Sequence, residues 1–401
     1  MKSLFLKFCL LALIPLFCVT CTDTVKLTGN EFLVEGVLSD VEDGVVISLI
    51  RWDGDSGSSI GTDTLRNGRF SFRNETEFNS ERMTISPRGD DFASMSLGVW
   101  VAPRTKVKIE GKGKLHPVWE VKSNIPNQQE ENRYTNKNRD LLTEMASVAV
   151  KRNELMQKIM AATSREEALP YRQMDDSIRA ITNSLNVKMT FANIAIMEKT
   201  NISPVWLNKM KSLSLTLKHT DADADYINEL REKTLYLFGK MSEEDKETPL
   251  GYEIIANIFP PPVVEVGDAM ADTDLLDING NTKHLSSYLG KYLLLDFWSR
   301  GCGPCIMALP EMKEISELYT DILTIISISL DADAAWKEAL NRHDLSWVNI
   351  RDPKGMGGLA ANYGVIGIPN YVMISPEGQI VDKWMGFGEG YLKKKVSENI
   401  K

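Results

Sequence analysis

Short apolar runs that alternate with polar residues characterise the first part of the chain. Residues 45–50 form an apolar run, and residues 106–110 alternate between charged and β-branched side chains. Alternating segments also flank Asn67-Gly68, and Asn-Gly is the strongest short hairpin signal because both turn positions need a positive φ. The pattern predicts a small antiparallel β domain over residues 28–122, built as a sandwich or barrel.

The spacing of apolar residues changes to three and four in the next stretch. One run with this spacing comprises Leu141, Met145, Val148, Leu155 and Ile159. Such spacing predicts amphipathic helices with charged outer faces, and we place the helical region over residues 128–245. We interpret this region as a structural spacer; the alternative is a platform that docks a partner.

Three consecutive prolines at residues 260–262 mark the clearest boundary in the chain. They favour a stiff, extended segment, which predicts a Pro-rich linker over residues 256–266. Strand-like and helical segments then alternate in the order βαβαβ and ββα, so residues 263–401 are predicted to form a mixed sheet with helices on both faces. The predicted fold class is therefore multidomain α+β, with an N-terminal β domain, a central helical segment and a C-terminal α/β/α domain.

Composition and charge narrow the classes of partner. The chain is 43% hydrophobic and 25% charged, which is typical of a folded globular protein. Its formal net charge is -9, and it has no basic cluster. An acidic chain of this kind argues against nucleic acid as a partner.

The cysteines are confined to two places. The chain has five, and they are Cys9, Cys18, Cys21, Cys302 and Cys305. The long stretch between Cys21 and Cys302 has none, so the sequence contains no framework of structural disulfides.

The N-terminus has the pattern of a secretory signal, which we place at residues 1–20. Lysines precede an apolar run at residues 8–19, and this run is shorter than the ~20 residues that a membrane-spanning helix needs. The residues that end at Cys21 resemble a bacterial lipoprotein cleavage box, so Cys21 is the predicted lipidation site and Cys18 an alternative acceptor. A diacylated anchor gives stable membrane attachment, which predicts a periplasmic, lipid-anchored protein of the cell envelope.

The candidate chemistry lies in the last unit. Residues 293–297 form an apolar run of strand length that is interrupted only by Asp296. A turn follows, and a Cys-Gly-Pro-Cys motif at residues 302–305 leads into a helical segment. A strand that delivers Cys-x-x-Cys to the start of a helix is typical of redox proteins. A zinc site would need four ligands, which the scattered histidines do not supply, so no metal and no cofactor is predicted.

Position along the helix distinguishes the two cysteines. Cys302 comes where the helix begins, and the unpaired N–H groups and positive dipole end there lower the pKa of its thiol. It is predicted to be the exposed nucleophile. Cys305 lies one turn further in and is predicted to resolve the mixed disulfide. Asp296 is predicted to have a raised pKa, because it lies within an apolar strand.

The last third of the chain resembles thioredoxin, and its flanking segments at residues 329–333 and 374–378 resemble the TlpA/ResA-like branch of envelope thioredoxins. Besides the cysteine motif, the residues that carry the resemblance are Asp296, Phe297, Trp298, Pro310, Gly367, Ile368 and Pro369. The resemblance implies a thioredoxin-like fold for residues 263–401 and a thiol:disulfide oxidoreductase activity. The first part of the chain resembles the β-rich domain of unknown function that often precedes such domains.

The resemblance also implies roles for individual residues. Asp296 would accept the proton of Cys305, and Pro369 would be a cis-proline that faces the disulfide, next to backbone that pairs with an extended substrate chain. The residues expected to contact substrate are Trp298, Gly301, Gly303, Pro304 and Ile368. Gly301 departs from the family, which usually has Trp there, and Ser327 stands where thioredoxins carry a lysine near the buried acid.

The Gly-Pro dipeptide between the cysteines predicts the direction of the reaction. It places no charge or histidine beside Cys302, so the couple should be reducing, like that of thioredoxin at about -270 mV. We therefore expect a disulfide reductase with protein disulfide substrates and a membrane thiol as electron donor. The alternatives are a peroxiredoxin-like peroxidase and a partner-binding lipoprotein that uses the fold as a scaffold. The sequence leaves the substrates open, with cytochrome c apoproteins among those that fit.

Overall fold

A computed structural model describes most of the chain. The described ranges are residues 26–53, 56–221, 224–343 and 345–400. The predicted signal peptide at residues 1–20 and the predicted lipidation site Cys21 lie outside them. Within these ranges, no helix is both long enough and apolar enough to cross a membrane.

The N-terminal β region consists of two four-stranded sheets, ordered β4-β1-β7-β8 and β3-β2-β5-β6. Their strands are β1 (Glu31–Ser39), β2 (Val46–Asp53), β3 (Ser56–Thr64), β4 (Arg69–Glu75), β5 (Glu81–Pro87), β6 (Leu97–Val101), β7 (Lys106–Lys112) and β8 (Glu120–Lys122). The strand pairs are antiparallel as predicted, except that β7 runs parallel to β1. The Arg104 N–H donates to the Glu31 carbonyl at 2.6 Å, so β7 enters the sheet from the same end as β1.

The predicted Asn-Gly turn is present, but it joins two sheets. Asn67 and Gly68 have φ values of 50° and 67°, and both N–H groups donate to the Asp43 carboxylate, at 2.7 and 3.1 Å. The strands on either side belong to different sheets, so the hairpin is limited to the bridge between Arg66 and Arg69. The turn was predicted correctly from local chemistry, whereas the sheet of each flanking strand depends on distant partners.

Seven helices follow in the described part of the chain. They are α1 (Pro126–Lys137), α2 (Arg139–Ala161), α3 (Arg165–Met197), α4 (Pro204–His219), α5 (Ile227–Phe238), α6 (Glu243–Lys246) and α7 (Pro249–Ile258). Side-chain oxygens of Ser164, Ser203 and Thr248 accept N–H bonds at the starts of α3, α4 and α7, which satisfies donors that the helices leave unpaired. The last residues of α7 extend into the segment predicted as a linker at 256–266.

The two sheets and these helices share one hydrophobic core. It includes Phe32 and Ile47 from the sheets together with Trp206, Leu230 and Ile254 from the helices, and each of these side chains is 0% exposed. The helical region is therefore packed against the β region, and its interpretation as a structural spacer is wrong. An amphipathic pattern indicates that one helix face is buried, but not which partner covers that face.

The C-terminal region contains a seven-stranded mixed sheet ordered β10-β9-β13-β12-β11-β14-β15. Its strands are β9 (Leu275–Leu276), β10 (Thr282–Lys283), β11 (Tyr292–Trp298), β12 (Leu323–Ser329), β13 (Val348–Arg351), β14 (Asn370–Ile374) and β15 (Ile380–Met385). Its helices are α8 (Gly303–Leu318), α9 (Asp333–Arg342), α10 (Leu359–Asn362) and α11 (Tyr391–Asn399). Central strand β11 pairs parallel with β12 and antiparallel with β14, which confirms the predicted mixed sheet.

Strand β11 is buried on both faces. Leu295 and Phe297 pack on one side with Leu359 of α10, and Leu294 packs on the other side with Met312 of α8. A strand covered on both faces reads as a continuous apolar run, which is the pattern found at residues 293–297. The predicted arrangement, with helices on both faces of the sheet, is confirmed.

The two halves of the molecule touch where α7 packs against the turn that contains Gly357. A Cβ atom on Gly357 would lie 2.2 Å from the carbonyl carbon of Tyr252 and 2.4 Å from the nitrogen of Glu253. The ammonium of Lys354 lies 5.4 Å from the centre of the Tyr252 ring. Backbone therefore packs directly on backbone at this contact, which fixes the N-terminal half against the sheet that carries the cysteines.

Gly357→Ala should destabilise the protein, because the added methyl group has no space beside α7. Overpacking of this kind costs about 1–3 kcal/mol, and we expect a loss of that size in the free energy of unfolding measured with urea. The control is Gly388→Ala, whose Cβ would lie 3.5 Å from the Tyr391 Cβ, an ordinary contact distance. Equal losses in the two variants would contradict the close packing at Gly357.

Candidate active site

Strand β11 and helix α8 bring the cysteine pair to the carboxyl edge of the sheet. The Cys302 N–H donates to the Ser299 carbonyl at 3.1 Å, which closes the turn after β11. Cys302 is the N-cap of α8, and its sulfur accepts the Cys305 N–H at 3.1 Å. Pro304 occupies the first turn, where a missing N–H costs nothing. Cys302 and Cys305 are joined by a disulfide.

The two cysteines differ in their position relative to a cleft on the protein surface. Cys302 lines an open cleft of about 870 Å³, and Cys305 does not. The two residues are 6% and 3% exposed, respectively, so Cys302 is nearly as buried as Cys305, and the prediction of an exposed Cys302 is wrong. The packing of Trp298 and Trp336 against the pair covers it, and Cys302 meets the surroundings at the cleft. The cleft is also lined by Gly301, Gly303, Pro304 and Ile368, four of the five residues predicted to contact substrate.

Trp298, the fifth predicted contact, is placed differently. Its side chain is 1% exposed and packs behind the disulfide with Trp336 of α9. The indole N–H groups of both residues are buried and have no hydrogen-bond partner in the described part of the chain. Trp298 therefore supports the cysteines from behind and does not reach the cleft, because its position on β11 points it into the protein. Sequence reasoning missed Trp336, which has no motif of its own.

Asp331 anchors the loop that precedes the cysteines. Its Oδ2 accepts the Arg300 N–H at 2.8 Å and the Ser329 hydroxyl at 2.9 Å. The Arg300 guanidinium forms an ion pair with Glu338 of α9. Asp331 is 4% exposed and joins the end of β12 to the loop after β11. It lies in a segment that carries the family resemblance, but the sequence alone assigned it no role.

Asp296 is buried on the α8 side of the sheet, between Leu294 and Trp298 on β11. Burial raises its pKa to about 7, partly offset by a 2.7 Å hydrogen bond that the Ser327 hydroxyl donates to Oδ2. The Trp347 indole N–H in turn donates to the Ser327 hydroxyl at 2.8 Å. The predicted rise in pKa is confirmed. Ser327, at the position where the resemblance to thioredoxin implies a lysine, supplies a neutral hydrogen bond to Asp296.

Tyr371 is the neighbour of Asp296 on β14. The two residues are paired in the sheet, and the Tyr371 hydroxyl is buried with no hydrogen-bond partner among the described residues. Burial, with a smaller contribution from Asp296, raises the pKa of Tyr371 far above its usual value. Tyr371 therefore stays neutral next to a carboxyl group that titrates near neutral pH.

The predicted cis-proline is present. The Ile368–Pro369 peptide bond is cis, and the Pro369 carbonyl accepts the Gly386 N–H at 2.9 Å. Ile368 packs against the cluster that contains Cys302. Its own N–H and C=O groups have no hydrogen-bond partner within the described ranges, so they are available to a chain lying in the cleft.

The described residues contain no group of three or more His, Cys, Asp or Glu side chains that could hold a metal ion. The arrangement thus brings together a disulfide, a carboxyl group with a pKa near neutrality, and an open cleft.

Comparison with known proteins identifies the family. The AhpC/TSA family model matches residues 266–383. Thiol-disulfide oxidoreductase ResA of Bacillus cereus (strain ATCC 10987 / NRS 248) is 30% identical over 138 residues, which cover 33% of this chain and 79% of that protein. The chain belongs to the ResA-like thiol-disulfide oxidoreductases.

Other relatives also match about a third of this oxidoreductase. The thioredoxin-like protein YneN of Bacillus subtilis (strain 168) is 27% identical over 127 residues, covering 31% of this chain and 73% of that protein. The thioredoxin domain of a thiol-disulfide oxidoreductase from Bacteroides vulgatus is 26% identical and covers 34% of this chain and 99% of that chain, with a TM-score of 0.32. The family model, at residues 266–383, places its match in the last third of the oxidoreductase.

Proposed function

We propose that this oxidoreductase reduces protein disulfides in the cell envelope, with Cys302 as the attacking group and Cys305 as the resolving group. The observation that carries the assignment is the position of the two sulfurs. Cys302 lines the cleft at the start of α8, and Cys305 lies behind it, out of the cleft. A substrate in the cleft meets Cys302 first, and the helix N-terminus stabilises the thiolate there.

The reaction proceeds by two thiol–disulfide exchanges. The Cys302 thiolate attacks one sulfur of the substrate disulfide, which forms a mixed disulfide and releases the other sulfur as a thiolate. Cys305 then attacks the Cys302 sulfur, which breaks the mixed disulfide and releases the second substrate thiol. Two electrons have passed to the substrate, and the protein holds the Cys302–Cys305 disulfide seen in the structure.

Asp296 is the proposed proton acceptor for Cys305. An acid–base group is most effective when its pKa lies near the working pH, and burial brings the pKa of Asp296 to about 7. The carboxyl group lies on the α8 side of the sheet, as Cys305 does. Deprotonation of the Cys305 thiol is required because the thiolate, and not the thiol, is the nucleophile.

Ile368 and Pro369 are proposed to position the substrate chain. Ile368 lines the same cleft as Cys302, and its N–H and C=O groups have no hydrogen-bond partner among the described residues. An extended chain can pair with such groups as an added strand does. We propose that this pairing aligns the substrate cysteine with the Cys302 sulfur.

The reducing direction rests on the Gly-Pro dipeptide, which places no charge between the cysteines. We expect a reduction potential near that of thioredoxin, about -270 mV. After each turnover the disulfide must receive two electrons, and we propose a membrane thiol protein as the donor.

The proposed location rests on the N-terminal signal pattern and on Cys21 as the lipidated residue. Membrane fractionation of cells that produce the full chain tests the anchor. Wild type should sediment with membranes and Cys21→Ser should not; equal distribution would refute lipidation at Cys21.

The full-length protein should reduce insulin disulfides in the presence of dithiothreitol, and its equilibrium with glutathione should give a reducing potential. Failure to reduce insulin would refute the reductase activity. A reduction potential near -120 mV, which is typical of a strong oxidant, would show that the protein oxidises its substrates instead. Because the AhpC/TSA model matches this chain, consumption of hydroperoxide by the reduced protein is measured in parallel. Peroxide turnover faster than insulin reduction would favour a peroxidase.

A further inference from the structure

The wall of the cleft opposite the disulfide is built by the N-terminal half of the chain. Its residues include Trp52 of β2, Arg82 and Thr84 of β5, Lys211 of α4 and Glu253 of α7. These residues are far from Cys302 in the sequence, and the packing of α7 on Gly357 holds them across the site. A substrate that fills the cleft around Cys302 therefore also contacts this second wall.

The polar groups of this wall bind one another. The Trp52 indole N–H donates to the Thr84 hydroxyl at 2.9 Å, which fixes the orientation of the ring. The Lys211 ammonium lies 3.0 Å from the Glu253 carboxylate, and Arg82 lies 3.8 Å from a carboxylate oxygen of Glu131. Because the charged side chains on this wall form ion pairs within the protein, we expect this wall to discriminate only weakly between substrates of different net charge.

Apolar surface remains accessible on both sides of the cleft. The Trp52 side chain is 41% exposed, although large aromatic side chains are usually buried more deeply. On the disulfide side, Ile366 is 75% exposed, and Met356 and Ile368 also line the cleft. The disulfide is thus reached between a tryptophan on one wall and aliphatic side chains on the other.

The size of the cleft limits what can enter it. A volume of about 870 Å³ lies within the range of about 300–1,000 Å³ that is usual for ligand pockets. A folded protein partner instead covers a broad surface of about 800 Å² on each side. A cleft of this size with two walls accommodates an extended stretch of chain more readily than the face of a folded domain.

We infer that Trp52 is a specificity-determining residue that selects extended, cystine-bearing polypeptide segments in which apolar residues flank the cysteine. This inference rests on the proposed reductase activity and adds the class of substrate. The flanking apolar residues lie between the Trp52 ring and Ile366, while the chain pairs with the backbone of Ile368. The N-terminal β region is then part of the substrate site of the C-terminal redox unit.

The test measures the rate constant with which each disulfide oxidises the reduced full-length protein. Three probes are used: a short linear peptide whose cystine is flanked by Leu, the same peptide flanked by Ser, and 2-hydroxyethyl disulfide. Wild type should react about tenfold faster with the Leu peptide than with the Ser peptide, and Trp52→Ala should reduce this preference to less than about twofold. The control is Phe78→Ala, an aromatic residue of the same half that is 60% exposed and does not line the cleft, which should keep the preference.

Two further variants separate loss of specificity from loss of the fold. Trp52→Phe keeps an aromatic ring without the N–H and should keep most of the preference, and Ile366→Ser, at a highly exposed position, should lower it. Equal rates for the two peptides in wild type, or an unchanged preference in Trp52→Ala, would overturn the inference and leave the reductase intact. If no disulfide oxidises the reduced protein, the proposed function itself fails.

Discussion

Cys302→Ser should abolish disulfide reduction by the full-length protein. A serine hydroxyl cannot form the mixed disulfide, and Cys305 does not line the cleft through which substrate arrives. We expect insulin reduction to fall by at least about 1,000-fold, to the rate of dithiothreitol alone, because the covalent step is lost. Retention of more than a few per cent of the wild-type rate would show that another group attacks the substrate.

Cys305→Ala is the matched variant, because it keeps the attacking sulfur and removes the resolving one. The mixed disulfide on Cys302 should then accumulate, and non-reducing gels with mass spectrometry should detect it in cells. Cys302→Ser should capture nothing under the same conditions. Capture by Cys302→Ser through its remaining Cys305 would reverse the assigned order of the two cysteines.

The chemistry of the site could be predicted because it is local in the sequence. Strand, turn and helix start all lie within a short segment around Cys302, so the pattern of apolar residues places the sulfur without knowledge of the rest of the fold. Asp296 is recognisable for the same reason, as the single acid in an apolar strand. The turn at Asn67-Gly68 was also predicted from two residues alone.

The surroundings of the site could not be predicted, because they depend on contacts between distant segments. Trp52 reads as one more strand aromatic in the sequence, and only the packing of α7 on Gly357 brings its half of the chain opposite Cys302. The helical region was interpreted as a spacer because its periodicity reveals a buried face and not the sheets that bury it. Trp298 was predicted to touch substrate, but the side of β11 on which it lies points into the protein.

Asp296→Asn should stabilise the oxidised protein at alkaline pH and have little effect at acidic pH. Burial raises the pKa of Asp296 from 3.8 to about 7 in the folded protein. A carboxyl group with a raised pKa favours the folded state below its unfolded pKa, and that stability is lost as the pH rises through about 7. The full pKa difference between the folded and unfolded states corresponds to about 4 kcal/mol. Because Asn stays neutral, we expect the free energy of unfolding of Asp296→Asn to exceed that of wild type by about 2–4 kcal/mol above pH 8.

Urea unfolding of the oxidised protein at pH 4 and pH 8.5 measures this effect. Ser327→Ala is the complementary variant. It removes the hydrogen bond that lowers the pKa of Asp296, so the Asp296 carboxyl group should titrate above pH 7 in this variant.

In the reduced protein, Asp296→Asn should slow resolution of the mixed disulfide about 100-fold, because proton transfer by a positioned group contributes at least that much. If Asp296→Asn is stabilised at pH 8.5 but resolves the mixed disulfide at the wild-type rate, Asp296 is a buried acid without a role in proton transfer.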